Sequence, residues 1–452
     1  MIDSNCNFQK SNSEDSITLY KYRWIIIVIY GLFNAINYFQ GFLFNVIANI
    51  VEDYYGVDET LTQMAGLVFM IAFIIIFIPV GHFIETTSLK TASLVGSGLT
   101  AVGNCLKLLA ISPGSFYWIL ISQTICAIAN VFMLLTPSKL ASAWFGAEEV
   151  STACAIGLVG TQMGVALGTV VPAIIVRSNS DKDVVGDELN LLFVYVAAIS
   201  VILFIVVILF FRSNPPTPPS FSQAELSTTQ DDKVTYWLAT KGFLKNKDYL
   251  IVLFSIGIGY GIWNSFGILV NQIFLQSFPD DDSSEVGILT SITCITGGCF
   301  GTMIFGYILD KTHKFKIVAF TVLLANTIAS IGQAVCFVNS YKLGVMIIVP
   351  VNGFFSGSLM VLGFEYAIET TYPTPEPFGA GILYAVVNLS AVLYVFIYSA
   401  VANISFALGQ AIFVVSLAFA TVAVLFISPE LRRRNANLKC EINEGFDKKV
   451  IE

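Results

Sequence analysis

The chain has 452 residues, 56% of them hydrophobic and only 12% charged, with a formal net charge of -8 and a mean hydropathy of +0.77. A soluble domain carries about 25% charged residues, so this composition excludes an ordinary soluble enzyme or nucleic-acid-binding protein. Where the charges fall says more than their sum.

The apolar residues gather into stretches of about 20, each long enough to cross a bilayer as a helix. They lack the alternation of barrel strands, and only a helix or a closed barrel satisfies every backbone polar group in lipid. The expectation is an all-α polytopic membrane protein. Residues 1–23 are polar and lack an apolar segment ending in a small-residue cleavage site, so the first span reads as an uncleaved anchor. In chain order the spans are predicted at 24–48, 62–83, 89–111, 115–140, 149–176 and 191–212, then 249–277, 286–309, 316–337, 343–366, 378–403 and 407–428. Between the two sets lies a polar segment with Pro215, Pro216, Pro218 and Pro219, read as a linker. An interfacial helix is expected within it near 234–245, with Trp237 and Phe243 at headgroup level. The expected division is a tail at 1–23, a six-helix half at 24–212, the linker at 213–248, a second half at 249–428 and a tail at 429–452.

Basic residues set the orientation, because cytoplasmic loops collect Lys and Arg. The first tail has Lys10, Lys21 and Arg23, the linker Lys233, Lys241, Lys245 and Lys247, and the loop at 310–316 has Lys311, Lys314 and Lys316. The last tail adds Arg432, Arg433 and Arg434. The loop at 49–61 instead has Glu52, Asp53, Asp58 and Glu59, and that at 277–286 has Asp280, Asp281, Asp282 and Glu285. Both termini and the linker are therefore expected on the cytoplasmic side.

The two halves rhyme. Gly81-His82-Phe83-Ile84-Glu85 ends the second span, and Gly306-Tyr307-Ile308-Leu309-Asp310-Lys311 ends the eighth. This pair resembles the cytoplasmic loop motif of the major facilitator superfamily, the second copy well kept and the first degenerate. Six helices, a linker and six helices is the layout of transporters built on parallel repeats, with substrate at the midplane. Longer stretches are more specific. Pro137-Ser138-Lys139-Leu140-Ala141-Ser142-Ala143-Trp144-Phe145-Gly146, Asn271-Gln272 and Gly363-Phe364-Glu365-Tyr366-Ala367-Ile368-Glu369 resemble the feline leukaemia virus subgroup C receptor-related transporters. The resemblance runs from about Tyr22 to Ala402. It implies a carrier of choline and ethanolamine, with haem transport also attributed to the family.

That resemblance implies a pocket in which a choline-like cation lies between aromatic faces with amides nearby, sensible because a quaternary ammonium has no N–H to donate. Gln162 matches the family's glutamine on the fifth span, and Asn388 stands for a glutamine on the eleventh. Tyr38 stands for a tryptophan on the first, and Asn264 for a tyrosine on the seventh. Trp263 lies about 100° around the helix from Asn264. It replaces the missing face only if the seventh span is turned or broken, which Gly257, Gly259 and Gly261 are expected to allow. Tyr384 and Tyr394 are further aromatic candidates. Three outcomes stay open: a rebuilt cage for a small organic cation, a different small polar or amine substrate, or haem.

The bland readings are packing for Tyr38 and Trp263 and an interhelical hydrogen bond for Gln162. Asn37, Gln40 and Asn45 share the first span and suggest a water-lined face; Gln40 is taken with the substrate residues. Glu365 and Glu369, near the end of the tenth span, are expected to form a gate with inner-loop bases, Asp310 and Lys311 among its members. Lys107 is expected to snorkel or pair with an outer acid.

Metal and catalytic chemistry are not indicated. His82 and His313 fall at the cytoplasmic surface, away from any axial haem position in a central cavity, with Tyr or Cys ligation left open. Among the eight cysteines there is no C-x-x-C pair; Cys105, Cys126, Cys154, Cys294, Cys299 and Cys336 read as reduced packing residues, and Cys440 as a weak lipidation candidate. The chain lacks a Gly-x-x-x-x-Gly-Lys-Ser/Thr loop and a Ser–His–Asp set. Asn403-Ile404-Ser405 is a sequon in a short outer loop. The expectation is a monomeric carrier in the plasma membrane, not an enzyme, with no cofactor, no nucleic-acid partner, and the bilayer and a small molecule as its partners. Coupling to protons or sodium is not expected, since the spans show no mid-depth Asp or Glu. A non-transporting receptor or scaffold with the same fold is the alternative from another class.

Overall fold

The computed structural model describes residues 20–145, 150–177, 181–217, 246–312, 314–371 and 376–428. Among these, helices α1 (Tyr22–Val46), α2 (Ala48–Tyr55), α3 (Glu59–Thr86), α4 (Leu89–Lys107), α5 (Phe116–Leu135), α6 (Pro137–Trp144), α7 (Val150–Ile175) and α8 (Lys182–Phe210) make the first half. Helices α9 (Lys247–Ser277), α10 (Ser283–Ile295), α11 (Thr302–Thr312), α12 (Phe315–Val338), α13 (Lys342–Thr371), α14 (Glu376–Ala402) and α15 (Phe406–Val424) make the second. Eleven of the described helical segments are long and apolar enough to cross a membrane, and α7 adds the apolar stretch Val159–Ile175. Large apolar side chains such as Ile75, Ile202 and Leu209 lie exposed on the outside, the arrangement expected where lipid is the solvent. The expected linker and its helix at 234–245 fall mainly on 218–245, outside the described residues, as do the tails beyond 20 and 428.

Three spans differ from their prediction. The first is interrupted at Ile47, and the chain continues as α2 until Gly56, whose φ of +66° is a left-handed cap that only glycine adopts without strain. The fourth stops at Leu135, because Pro137 starts a new helix at its first position, where a missing N–H costs nothing. The eighth is split by a π-helical turn at Thr296–Gly301, the kind of irregularity often found at working sites. The face where α1 and α9 begin is called the near face, and the opposite one the far face.

Small residues set the closest approaches. Gly160, Gly164 and Gly168 recur every fourth residue on α7, and a Cβ on any of them would collide with the backbone of Gly31, Ala35 or Phe39 on α1. This is how membrane helices gain dispersion contact where lipid gives no hydrophobic drive. Gly257 and Gly261 do the same for α9 against Val386 and Ser390 of α14. These glycines therefore serve packing; α9 runs unbroken from Lys247 to Ser277, correcting the expected break. The halves meet along α3 against α14 and α7 against α10.

The first half has a polar interior. Asn37 donates to Thr100 Oγ1 (3.0 Å) and the Cys126 carbonyl (2.9 Å), and accepts from Asn130 (2.8 Å). Lys107, 1% exposed, neither snorkels nor meets an acid: its ammonium donates to Gln40 Oε1 and lies 5.2 Å and 5.9 Å from the ring centres of Phe44 and Phe193. At the near face Lys139, from the stretch that carries the family resemblance, donates to the Ile84 and Thr87 carbonyls and so caps the end of α3.

Candidate functional site

A cavity of about 330 Å³ lies between the halves. Helices α1, α3, α5 and α7 line it from one side, and α9, α10, α13 and α14, with the π-turn and the start of α11, from the other. Five of the six residues picked from the sequence line it: Tyr38, Gln162, Trp263, Asn264 and Asn388. The sixth, Gln40, does not. It lies on the opposite side of α1, fully buried, held by Lys107 and by Gln123, which donates to its carbonyl (2.9 Å). The water-lined face expected of Asn37, Gln40 and Asn45 thus reduces to Asn45 alone.

Gln162 owes its direction to the glycine stripe. Two residues on from Gly160, it points away from α1 and across to α10's π-turn. There Gly298 leaves the space its carboxamide fills; a Cβ at 298 would strike Oε1 and Cδ. On α9, Trp263 and Asn264 both line the cavity from a regular helix, since a wide cavity admits neighbours 100° apart. The ring of Trp263 is stacked near Phe266, with centroids 6.0 Å apart and 24° between planes.

Sequence reasoning missed several lining residues. Tyr260 and Phe266 on α9, Phe42 on α1, Phe69 on α3, Asn130 on α5 and Phe364 on α13 all join the cavity. Tyr260 sits one turn from Trp263 and Asn264, so helical spacing could have found it. Tyr384 is there too, edge-on to Phe73 at 4.8 Å, whereas Tyr394 packs on Phe413 away from the cavity. Free cysteines Cys294 and Cys299 also face it. None of the lining residues is Asp, Glu, Lys, Arg or His. The site therefore offers π-faces, five amides (Asn45, Asn130, Gln162, Asn264, Asn388) and hydroxyls, with no formal charge.

The far face is closed by contacts between halves. Asn271 of α9 donates to the Val46 carbonyl (2.5 Å) and to Asn49 Oδ1 (3.1 Å), and Ser283 of α10 donates to the same Asn49 oxygen (2.9 Å). The break at Ile47 ends α1 at Val46, where last-turn carbonyls lack helical partners, and α9 supplies one. Gln63 of α3 bridges Glu59 (2.7 Å) and Ser399 of α14 (3.2 Å), and Thr169 and Ser291 share a bond of 2.7 Å. Beside this seam, burial first, and then Glu59, Asp53 and Asp58, push the Glu52 carboxyl up to about 7. Lys342 pairs with Asp281 (2.9 Å) and Glu285 (2.5 Å) within the second half.

At the near face, Glu369 is 8% exposed and Glu365 half-buried, and both are engaged by neighbours. Lys311 is exposed and stands 4.7 Å over the Tyr307 ring of its own helix. The Asp310 and Cys154 side chains, and His313 and Cys440, lie outside those described.

A profile of the Major Facilitator Superfamily matches residues 30–331. The choline/ethanolamine transporter FLVCR2 of Rattus norvegicus is 30% identical over 94% of this chain and 78% of its own length. The choline/ethanolamine transporter FLVCR1 of Felis catus is 30% identical over 92% and 74%, and flvcr2a of Danio rerio 29% identical over 94% and 90%. Among solved structures, a bacterial homolog to the human lysosomal transporter Spinster, inward-facing and unoccupied, superposes with a TM-score of 0.69 at 13% identity, covering 90% of this chain and 97% of that one. The Escherichia coli fucose:proton symporter FucP gives 0.61 at 12% identity over 89% and 99%; both likenesses speak for the fold. The cavity between two six-helix halves and the matches along nearly the whole length agree: this chain is a multi-pass membrane transporter of the major facilitator superfamily, and it belongs to the feline leukaemia virus subgroup C receptor-related family.

Proposed function

We propose that the protein carries a small organic cation of the choline or ethanolamine type by facilitated diffusion. The observation that carries this reading is the chemistry of the central cavity, lined by aromatic rings and amides without a charged side chain. A quaternary ammonium is held by π-faces, each worth about 0.5–2 kcal/mol when desolvated. Trp263, Tyr38, Tyr260 and Tyr384 are the candidate walls, with Gln162, Asn264 and Asn388 turned to the hydroxyl end or to an ethanolamine N–H. The names of the relatives agree. A haem would bring two carboxylates that call for Arg or Lys, which the lining does not offer.

The halves 24–212 and 249–428 pivot about this site, and the linker 213–248 joins them. With bases gathered at the near face, that face is cytoplasmic, and the far-face contacts shut the present conformation toward the outside. Glu365 and Glu369 with Asp310 take part in the inner gate. The protein works as a monomer in the plasma membrane. A transported cation follows the membrane potential, about 2.3 kcal/mol per charge per 100 mV.

Radiolabelled choline uptake in cells deficient in choline transport tests the reading. Saturable uptake that follows membrane potential and ignores an imposed proton or sodium gradient is expected, and it is lost in Gln162→Ala and Trp263→Ala. A protein shown at the surface that neither takes up choline or ethanolamine nor gains thermal stability from any amine would be a receptor or scaffold instead.

A further inference from the structure

On the other side of Trp263 from the central cavity, the second half encloses a separate chamber of about 20 Å³. Helices α9, α12, α13 and α15 build it. Its polar lining is Asn326, Ser330, Gln333, Asn352, Ser356 and Gln410, each at most 7% exposed. Trp263 and Phe266 line both spaces, so they form the partition between them.

The polar groups are only half satisfied by one another. Asn352 donates to Gln333 Oε1 (2.5 Å), Ser356 to Asn326 Oδ1 (2.9 Å), and Gln410 to the Tyr398 hydroxyl (3.1 Å). Ser330 and Ser356 reach Asn352 Oδ1 only at 3.4 and 3.5 Å. Among the described residues, Asn326 Nδ2, Gln333 Nε2 and Gln410 Oε1 have no protein hydrogen-bond partner. Buried amides are rarely left so. The space matches the need, since about 10–15 Å³ is enough for one water with two to four polar partners.

The first half shows what the matching place holds there. Gln333 stands eighteen residues on from the start of α12, as Lys107 does from the start of α4, and Ser330 corresponds in the same way to Asn104. In the first half the Lys107 ammonium reaches Gln40 and fills the space against Phe44 and Phe193. The shorter, uncharged Gln333 leaves room for a polar guest of about that size.

We propose that this chamber binds one water molecule, which joins the amides of Asn326, Gln333 and Gln410 and fixes the angle at which Trp263 faces the central cavity. Water fits better than a metal cation for two reasons. The chamber supplies donors as well as acceptors, and none of its lining residues is charged to compensate a buried cation. Asn326, Gln333 and Gln410 thereby become positioning residues for a cavity wall without touching the substrate themselves, a role that rests on the proposed use of that cavity.

Trp263 itself reports on the guest once Trp24, Trp118, Trp144 and Trp237 are replaced by Phe. Ser330→Val fills the chamber and expels the water, so Trp263 emission moves to shorter wavelength. Ser330→Ala enlarges it, so emission moves the other way. Ser356→Val is the second filling variant should Ser330→Val fail to fold, and Thr321→Val, exposed on the same helix, is the control. In uptake, filling raises the choline KM several-fold with the maximal rate kept. Shifts of the same sign in the Val and Ala variants, or none in either, would overturn the proposal. So would a saturable emission change on replacing N-methylglucamine by sodium or lithium, which would mean a cation site. The fluorescence readings need no transported substrate, so they stand even if choline proves not to be the cargo.

Discussion

Gly298 and Gln162 come from different halves and occupy one space: the absent side chain of the first is the seat of the second's carboxamide. The contact joins the cavity wall to the seam along which α7 and α10 pack. Any change at Gly298 therefore acts on substrate contact and on the meeting of the halves together. Overpacking of this kind costs about 1–3 kcal/mol, so Gly298→Ala should lower choline uptake about tenfold or more at equal surface expression. Gly306→Ala is the control, because its Cβ would meet only Val361, at 3.8 Å.

Removing the largest ring should weaken binding more than turnover. Trp263→Leu keeps apolar bulk but loses the π-face, a loss of about 0.5–2 kcal/mol, so KM should rise about 2- to 30-fold. Trp263→Phe should fall between the two. Competition by choline against labelled uptake reads the difference, and an unchanged KM in Trp263→Leu would remove that ring from the site.

The far-face clamp makes a prediction about conformation. Asn271→Ala removes the bonds to the Val46 carbonyl and to Asn49, each worth about 0.5–1.5 kcal/mol net, which biases the carrier toward far-face opening. Cys294 and Cys299 are natural reporters, because both line the cavity. With Cys105 and Cys336 changed to Ser, a membrane-impermeant thiol reagent applied from the far side should label Asn271→Ala faster than the parent.

Acidity should push the other way. A carboxyl held up to about 7 in the closed state binds its proton more tightly there than in a solvated, open one. The closed state is thus favoured at low pH, and this advantage fades as pH rises from the ordinary Glu range through about 7. Far-side labelling of the cavity cysteines should increase between pH 5.5 and 7.5. Glu52→Gln, neutral throughout, should stay at the low-pH level. Persistence of the pH response in Glu52→Gln would transfer the effect to Glu59, whose carboxyl burial also pushes up.

The same residues show how far the chain could be read without its fold. Long uncharged runs such as Met70–Val80 leave no choice but a lipid-facing helix, because their backbone must bond within itself and their side chains avoid water. The number of spans, the near-face bases and the repeated Gly-x-x-x-acid loops follow from short-range sequence alone. So does the Gly160, Gly164, Gly168 stripe, whose spacing turns one face of α7 inward and leaves Gln162 on another. Helical breaks at Ile47 and Thr296–Gly301 were not legible, because each is a compromise with a neighbouring helix that the local sequence does not contain.

What the tertiary structure alone decided is which polar side chain meets which. Gln40 and Asn45 share a helix and an amide, yet one is spent on a buried lysine and the other on the cavity. Lys107 looked like a surface anchor until two aromatic rings from α1 and α8 enclosed it. Trp263 and Asn264 could not both be assigned until the width of the cavity was known. The sequence by itself determined the solvent, the spans and the family. The assignment of amides and rings to cavity, chamber or core depends on the rotation of each helix against partners on other helices, from tens to more than two hundred residues away, and that is settled by packing.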